Sequence, residues 1–160
     1  MLFLLGEKCW CQVTKFKPVL PVKSEASERL RDMEFTDLSG RHIKLNDFLG
    51  KPVLLNFWAS WCGPCKQEMQ SISAISKIYE NNLIVILASD ENIDIISKYK
   101  NESALNLNFV KLNSSFIDAY IVKLPTTLLI SRSGKLVLEE EGFRDWTSKN
   151  NFDKVYDLTK

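Results

Sequence analysis

The sequence has one histidine, His42, and four cysteines among its 160 residues. A single histidine excludes a His-rich metal site. It also excludes a Cys-His-Asn protease unless His42 lies beside a cysteine. Cys9, Cys11, Cys62 and Cys65 are too sparse for a disulfide-stapled mini-protein. Neither sign of charge is in excess: Lys plus Arg is 21, Asp plus Glu is 20, and the formal net charge is +1. A nucleic-acid binder normally carries a basic excess or stripe, so no nucleic-acid partner is expected. No run reaches the roughly 18 apolar residues that a membrane span needs. The apolar start from Leu2 to Leu5 is short. It reads either as the stub of an export or anchor segment or as a greasy terminus packed on the domain. There is no internal repeat and no low-complexity tract.

Hydrophobic residues make up 45% of the chain, enough for a genuine core. The length fits one domain with an extension. Residues 1–32 read as an N-terminal extension, an export or anchor remnant, and residues 33–160 as the folded domain. Pro18 and Pro21 break any helical period in Lys15–Lys23, and the charged stretch Ser24–Arg31 suits one or two weak helical turns. Phe35–Leu38 and His42–Leu45 flank Ser39-Gly40, a hairpin signal. Asn46-Asp47 suits a short capped turn ending at Gly50. Pro52–Trp58 and Leu83–Ala88 are nearly continuous apolar runs, which predict strands buried on both faces of a sheet.

Between those strands, Cys62–Tyr79 predicts a helix with Met69, Ile72, Ile75 and Ile78 as its apolar stripe. Ile93–Lys100 and Ser114–Val122 suit further helices, and Asn108–Leu112 a strand. Thr126–Ser131 and Lys135–Glu139 read as a hairpin around Ser133-Gly134. Asp145–Leu158 reads as a closing helix with Phe152, Val155 and Tyr156 inward. The order gives an α/β fold: a central mixed sheet with helices on both faces and an N-terminal β-hairpin.

Cys62-Gly63-Pro64-Cys65 directly follows a buried strand and opens a helix. Free N–H groups and the positive end of the helix dipole favour an anion there. Cys62 would thus be stabilised as thiolate, the nucleophilic form. Two intervening residues bring Cys65 onto the same turn, within disulfide reach. Pro64 fits the first helical turn, where a missing N–H costs nothing, and Gly63 is expected to ease a tight turn. The competing reading is half of a zinc site, for which Cys9-Trp10-Cys11 is a poor second half. Those two cysteines read as incidental or as an accessory thiol or Cu(I) pair.

Phe57-Trp58-Ala59-Ser60-Trp61-Cys62-Gly63-Pro64-Cys65-Lys66 closely resembles the thioredoxin active-site signature. Phe35–Gly40, Leu45–Trp58 and Glu68-Met69 narrow the resemblance to the TlpA/ResA branch, from about Met33 to the C-terminus. That branch implies a thioredoxin-like fold and bacterial proteins that are periplasmic or membrane-tethered and face the periplasm. It implies an active site without bound cofactor or metal. Leu124-Pro125-Thr126-Thr127 matches the segment that carries a cis-proline beside the active site, with Leu124 and Pro125 as substrate-binding residues, and Gly142 matches a family glycine near the same surface. Asn56 stands where thioredoxin itself has a buried aspartate, and the branch commonly pairs that Asn with a Glu at the position of Glu68. Glu68 is thereby expected to tune the dithiol, and Trp61 to shield it and contact partners. Lys66 and His42 are expected on the surface.

The expected activity is protein-disulfide reduction by Cys62 and Cys65. The resemblance implies extracytoplasmic protein substrates of the cytochrome c or copper-oxidase maturation type, a membrane-bound electron donor and a monomer. The rival readings are a general cytoplasmic thioredoxin and a module in which Cys62 and Cys65 deliver Cu(I).

Overall fold

The computed structural model describes residues 29–160, so the readings on Leu2–Leu5, Cys9 and Cys11 lie outside the described residues. Residues 29–31 are helical. The elements that follow are β1 (Glu34–Asp37), β2 (His42–Lys44), a 3-10 turn (Leu45–Phe48), β3 (Val53–Phe57), α1 (Gly63–Ile78) and β4 (Ile84–Ser89). They continue with α2 (Ile93–Ser103), β5 (Asn108–Leu112), β6 (Thr126–Ile130), β7 (Leu136–Glu141) and α3 (Lys149–Thr159). The strands form one mixed sheet in the order β2-β1-β5-β4-β3-β6-β7. Here β3, β4 and β5 run parallel, and β1, β2, β6 and β7 pair antiparallel.

The apolar run of β3 behaves as its composition demands, since every residue from Val53 to Phe57 is buried. Alternation along the strands sorts the core into two layers. Leu54, Val85, Leu87, Phe109 and Leu129 pack with Met69, Ile72 and Ile75 of α1, Ile96 of α2 and Val155 of α3. Leu55, Phe57, Ile86, Val110 and Leu128 face the other way. There Leu30, Leu45 of the 3-10 turn, and Ala119 and Ile121 cover them. The packed unit thus includes Leu30, ahead of Met33.

Several element readings need correction. Ser114–Val122 is not a helix. Its bonds Ile121 N–H to Phe116 C=O and Tyr120 N–H to Ile117 C=O close a Schellman motif after a single turn. Tyr120 takes the left-handed conformation that such a cap needs, with φ 57°. The closing helix starts at Lys149, not Asp145. The Asp145 carboxylate instead accepts the N–H and hydroxyl of Thr147, a local turn that competes with helix. Tyr156 is half exposed and Ile78 is 59% exposed. At 3.6 residues per turn a strict three-residue stripe drifts about 60° per step, so Ile78 has swung to the far side from Met69.

Candidate active site

The chain leaves β3 at Phe57, and the Trp58 N–H bonds the carbonyl of Ala88, still in sheet register with β4. It then turns through Ala59–Trp61, and the Cys62 N–H closes back on Ala59 C=O. Cys62 is the N-cap of α1, with extended φ −84° and ψ 98° and a proline at the helix start. Cys62 and Cys65 are joined by a disulfide with their Cα atoms 5.3 Å apart. Cys62 Sγ accepts the Cys65 N–H at 3.3 Å. A donor there favours negative charge on that sulfur once the bond is reduced. Of the pair, Cys62 is 5% exposed and Cys65 fully buried, so an attacking partner meets Cys62 first. Gly63 does not supply a special turn conformation. It has no left-handed φ, and a Cβ there would meet nothing within 4 Å.

One turn along α1 from Cys65, a buried polar string centres on Glu68. Asn56 and Thr127 are register partners on β3 and β6. The Asn56 side-chain amide donates to Thr127 Oγ1 at 2.8 Å, and Thr127 Oγ1 donates to Glu68 Oε1 at 3.1 Å. The Trp146 indole N–H donates to the same Glu68 oxygen at 2.6 Å. Glu68 Oε2 and Asn56 Oδ1 are buried and have no hydrogen-bond partner among the described residues. Burial pushes the Glu68 carboxyl up to about 7, against the hydrogen bonds from Trp146 and Thr127 and the influence of Arg144, which pull it down. Glu68 is therefore a carboxyl that exchanges its proton near neutrality, one helical turn from Cys65.

The loop that leads into the disulfide is held from the segment just after β4. Glu91 accepts the Ser60 N–H at 2.7 Å and the Ser60 hydroxyl at 2.6 Å. Its neighbour Asp90 accepts the Phe116 N–H at 3.1 Å. These adjacent carboxylates staple the two loops that flank an open cleft of about 460 Å³, lined by Trp61, Asp90, Phe116, Ile117, Ile121 and Leu124. Trp61 at 73% and Val122 at 81% exposure make its rim an apolar surface in water. The Leu124–Pro125 bond is cis, and Pro125 C=O accepts the Gly142 N–H at 2.7 Å. Leu124 packs on the core cluster that holds Cys62 and Cys65.

The structure thus brings Asn56, Trp61, Cys62, Cys65, Glu68 and Leu124 to one end of the sheet. His42 stands exposed on β2, and the Lys66 ammonium lies 5.4 Å from the Tyr99 ring centroid. Thr127 enters the sequence reading only within the segment that matches the cis-proline stretch, Trp146 only within the helix expected over Asp145–Leu158, and Glu91 carries no signal of its own. Among the described residues, no three His, Cys, Asp or Glu side chains group so as to hold a metal ion. No helix among the described residues is long and apolar enough to cross a membrane.

Residues 26–138 match the AhpC/TSA family. The thiol-disulfide oxidoreductase ResA of Bacillus thuringiensis is 33% identical over 124 residues, 75% of this chain and 72% of that protein. ResA of Bacillus subtilis is 33% identical over 135 residues, 81% of this chain and 75% of that protein. Among solved structures, a thiol:disulfide interchange protein DsbE from Chlorobium tepidum superposes with a TM-score of 0.73 at 23% identity, covering 81% of this chain and 95% of that one. An exposed lipoprotein thioredoxin of Streptococcus pneumoniae gives a TM-score of 0.65 at 27% identity, covering 78% of this chain and 96% of that one.

Proposed function

From the premise that the chain belongs to the AhpC/TSA family and is a thiol–disulfide oxidoreductase of the ResA type, we propose that it reduces disulfides in extracytoplasmic proteins through the Cys62–Cys65 pair. The observation that carries this reading is the disulfide at the N-cap of α1, with Cys62 the more exposed residue of the pair.

In the reduced protein, the Cys62 thiolate attacks one sulfur of the substrate disulfide. A mixed disulfide forms, and the other substrate sulfur leaves as thiolate and takes up a proton. Cys65 then gives its proton to a base and attacks Cys62 Sγ, releasing the second substrate thiolate. Two electrons have passed to the substrate, and Cys62–Cys65 is left oxidised. Glu68 is the carboxyl placed to take the Cys65 proton, and Asn56 and Thr127 hold it. Trp61, Leu124 and Pro125 form the docking surface, on which an extended cysteine-bearing segment lies along the loop before β6.

The exposed-lipoprotein description of the pneumococcal relative, together with the resemblance to the TlpA/ResA branch, supports an extracytoplasmic site. Substrates there are cysteine pairs of proteins awaiting haem or copper. In an oxidising compartment a reductase needs electrons from outside, which a membrane-bound donor supplies to the monomer. The test is turnover of insulin disulfides with dithiothreitol as electron source, together with fractionation of the native protein from its own cells. Catalysed reduction and an extracytoplasmic fraction are expected. Failure to accelerate insulin reduction would refute the activity, and an exclusively cytoplasmic protein would refute the location.

A further inference from the structure

Trp146 is fully buried and attached to α1 at two points. Its backbone N–H donates to Ser71 Oγ at 3.1 Å, and that hydroxyl donates to the Glu68 carbonyl at 2.8 Å. Its indole N–H donates to Glu68 Oε1 at 2.6 Å, the shorter of the two hydrogen bonds that this carboxyl receives from side chains. An indole N–H buried in a core needs an acceptor, and a buried carboxyl needs donors, so each satisfies the other's requirement. Trp146 comes from the segment between β7 and α3, 78 residues from Glu68.

We propose that Trp146 is a positioning residue of the dithiol site, whose indole N–H locks the Glu68 carboxyl in one orientation behind Cys65. The inference rests on the proposed role of Glu68 as proton acceptor for Cys65. The Thr127 and Trp146 donors converge on Oε1, and Oε2 is left without a partner among the described residues, free to carry the proton. The charge of Arg144 also pulls the Glu68 pKa down. The Arg144 guanidinium is itself held by Glu140, at 3.1 and 2.9 Å, and Lys154 shares that carboxylate at 2.7 Å. Asn56 reaches Glu68 only through Thr127. Cys65 lies one turn back on α1 itself. Trp146 is thus the strongest donor to the ionised form, and its removal should make Glu68 hold its proton to higher pH.

The test uses the full chain in its oxidised form, labelled with 15N, and follows the four indole N–H signals from pH 5 to 9. The signal lost in Trp146→Phe identifies Trp146. In the wild type that signal should titrate with a midpoint near 7, the value of Glu68, and in Glu68→Gln it should stay flat. An indole signal of Trp146 that does not titrate in the wild type would overturn the proposal, even if insulin reduction proceeds as expected.

In the reduced protein, Trp146→Phe should move the pH midpoint of Cys65-dependent turnover upward by about one unit, the size expected for loss of a charge-assisted bond. The same change made on Glu68→Gln should move nothing further. Val155→Ala, which removes methyl groups from the same core cluster, controls for lost stability and should leave the midpoint in place. If Val155→Ala shifts it as far as Trp146→Phe, the role is only structural and the proposal fails. Should Trp146→Phe not fold, Trp10→Phe, Trp58→Phe and Trp61→Phe assign the Trp146 signal by elimination, and the wild-type and Glu68→Gln titrations then decide, because only a Trp146 signal that titrates and that Glu68→Gln flattens supports it.

Discussion

Replacing Cys62 with serine should lower turnover of a protein disulfide by at least about a thousandfold, the order lost when a catalytic nucleophile is removed. Replacing Cys65 should instead stall the reaction half-way. Without the second sulfur the mixed disulfide between Cys62 and substrate has no intramolecular attacker, and the adduct should accumulate on a non-reducing gel. The asymmetry follows from position. Cys62 sits at the N-cap, where its sulfur accepts the Cys65 N–H, while Cys65 is wholly buried in the first turn. Limited alkylation of the reduced protein followed by mass spectrometry checks the assignment. Cys62 should carry the label first, and preferential labelling of Cys65 would reverse the roles.

The second large effect is on stability and belongs to Glu68. Its carboxyl is buried and pushed up to about 7 from the ordinary 4.5. Below pH 4.5 the group is neutral in folded and unfolded chains alike, and its burial adds no pH-dependent cost. Between 4.5 and about 7 the unfolded chain releases its proton first, which favours unfolding. Above about 7 the folded protein holds a buried carboxylate, and the loss is complete. At about 1.4 kcal/mol per pH unit, that gap corresponds to a loss on the order of 3 kcal/mol.

Glu68→Gln keeps an acceptor for Trp146 and Thr127 and removes the charge. The oxidised variant should match the wild type at pH 4.5 and exceed it by about 2–3 kcal/mol at pH 8, a shift of several degrees in Tm. Urea unfolding of both proteins at the two pH values measures it. Parallel pH profiles for variant and wild type would show that the carboxyl is not buried as described. A protein that keeps an acid at such a cost in its core has a use for it, in line with the proton transfer from Cys65.

Much of this site was legible in the sequence because it is local. The apolar run Val53–Phe57 announces a strand buried on both faces, and Cys62-Gly63-Pro64-Cys65 follows it within a single loop. Glu68 is one turn from Cys65, and Asn56 is the lone polar residue in that run, which marks it as internal and satisfied by something. What satisfies it could not be read. Thr127 lies 71 residues away, and its place opposite Asn56 depends on the register between β3 and β6. Trp146 and Glu91 likewise act through tertiary contacts, Trp146 from a segment that the sequence places inside the closing helix and Glu91 from the loop after β4. The misread helix at Ser114–Val122 has a different origin. Its residues tolerate helix, but Tyr120 adopts a left-handed cap and ends it after one turn. That segment consequently arrives as an irregular, apolar rim beside Trp61 rather than as a covering helix.

The central claim is that the Cys62–Cys65 couple donates electrons. Its two intervening residues, Gly63-Pro64, are those of the thioredoxin signature, and thioredoxin has a potential of about −270 mV, whereas the strong oxidant DsbA lies at about −120 mV. At about 1.4 kcal/mol per 30 mV, the two differ by about 7 kcal/mol in the stability of the disulfide relative to the dithiol. The direct measurement is the equilibrium potential of the pair, taken by equilibrating the protein in glutathione or dithiothreitol buffers and quantifying the oxidised fraction after acid quench and alkylation. A value below about −220 mV is predicted, and a value near that of DsbA would contradict the reductase account.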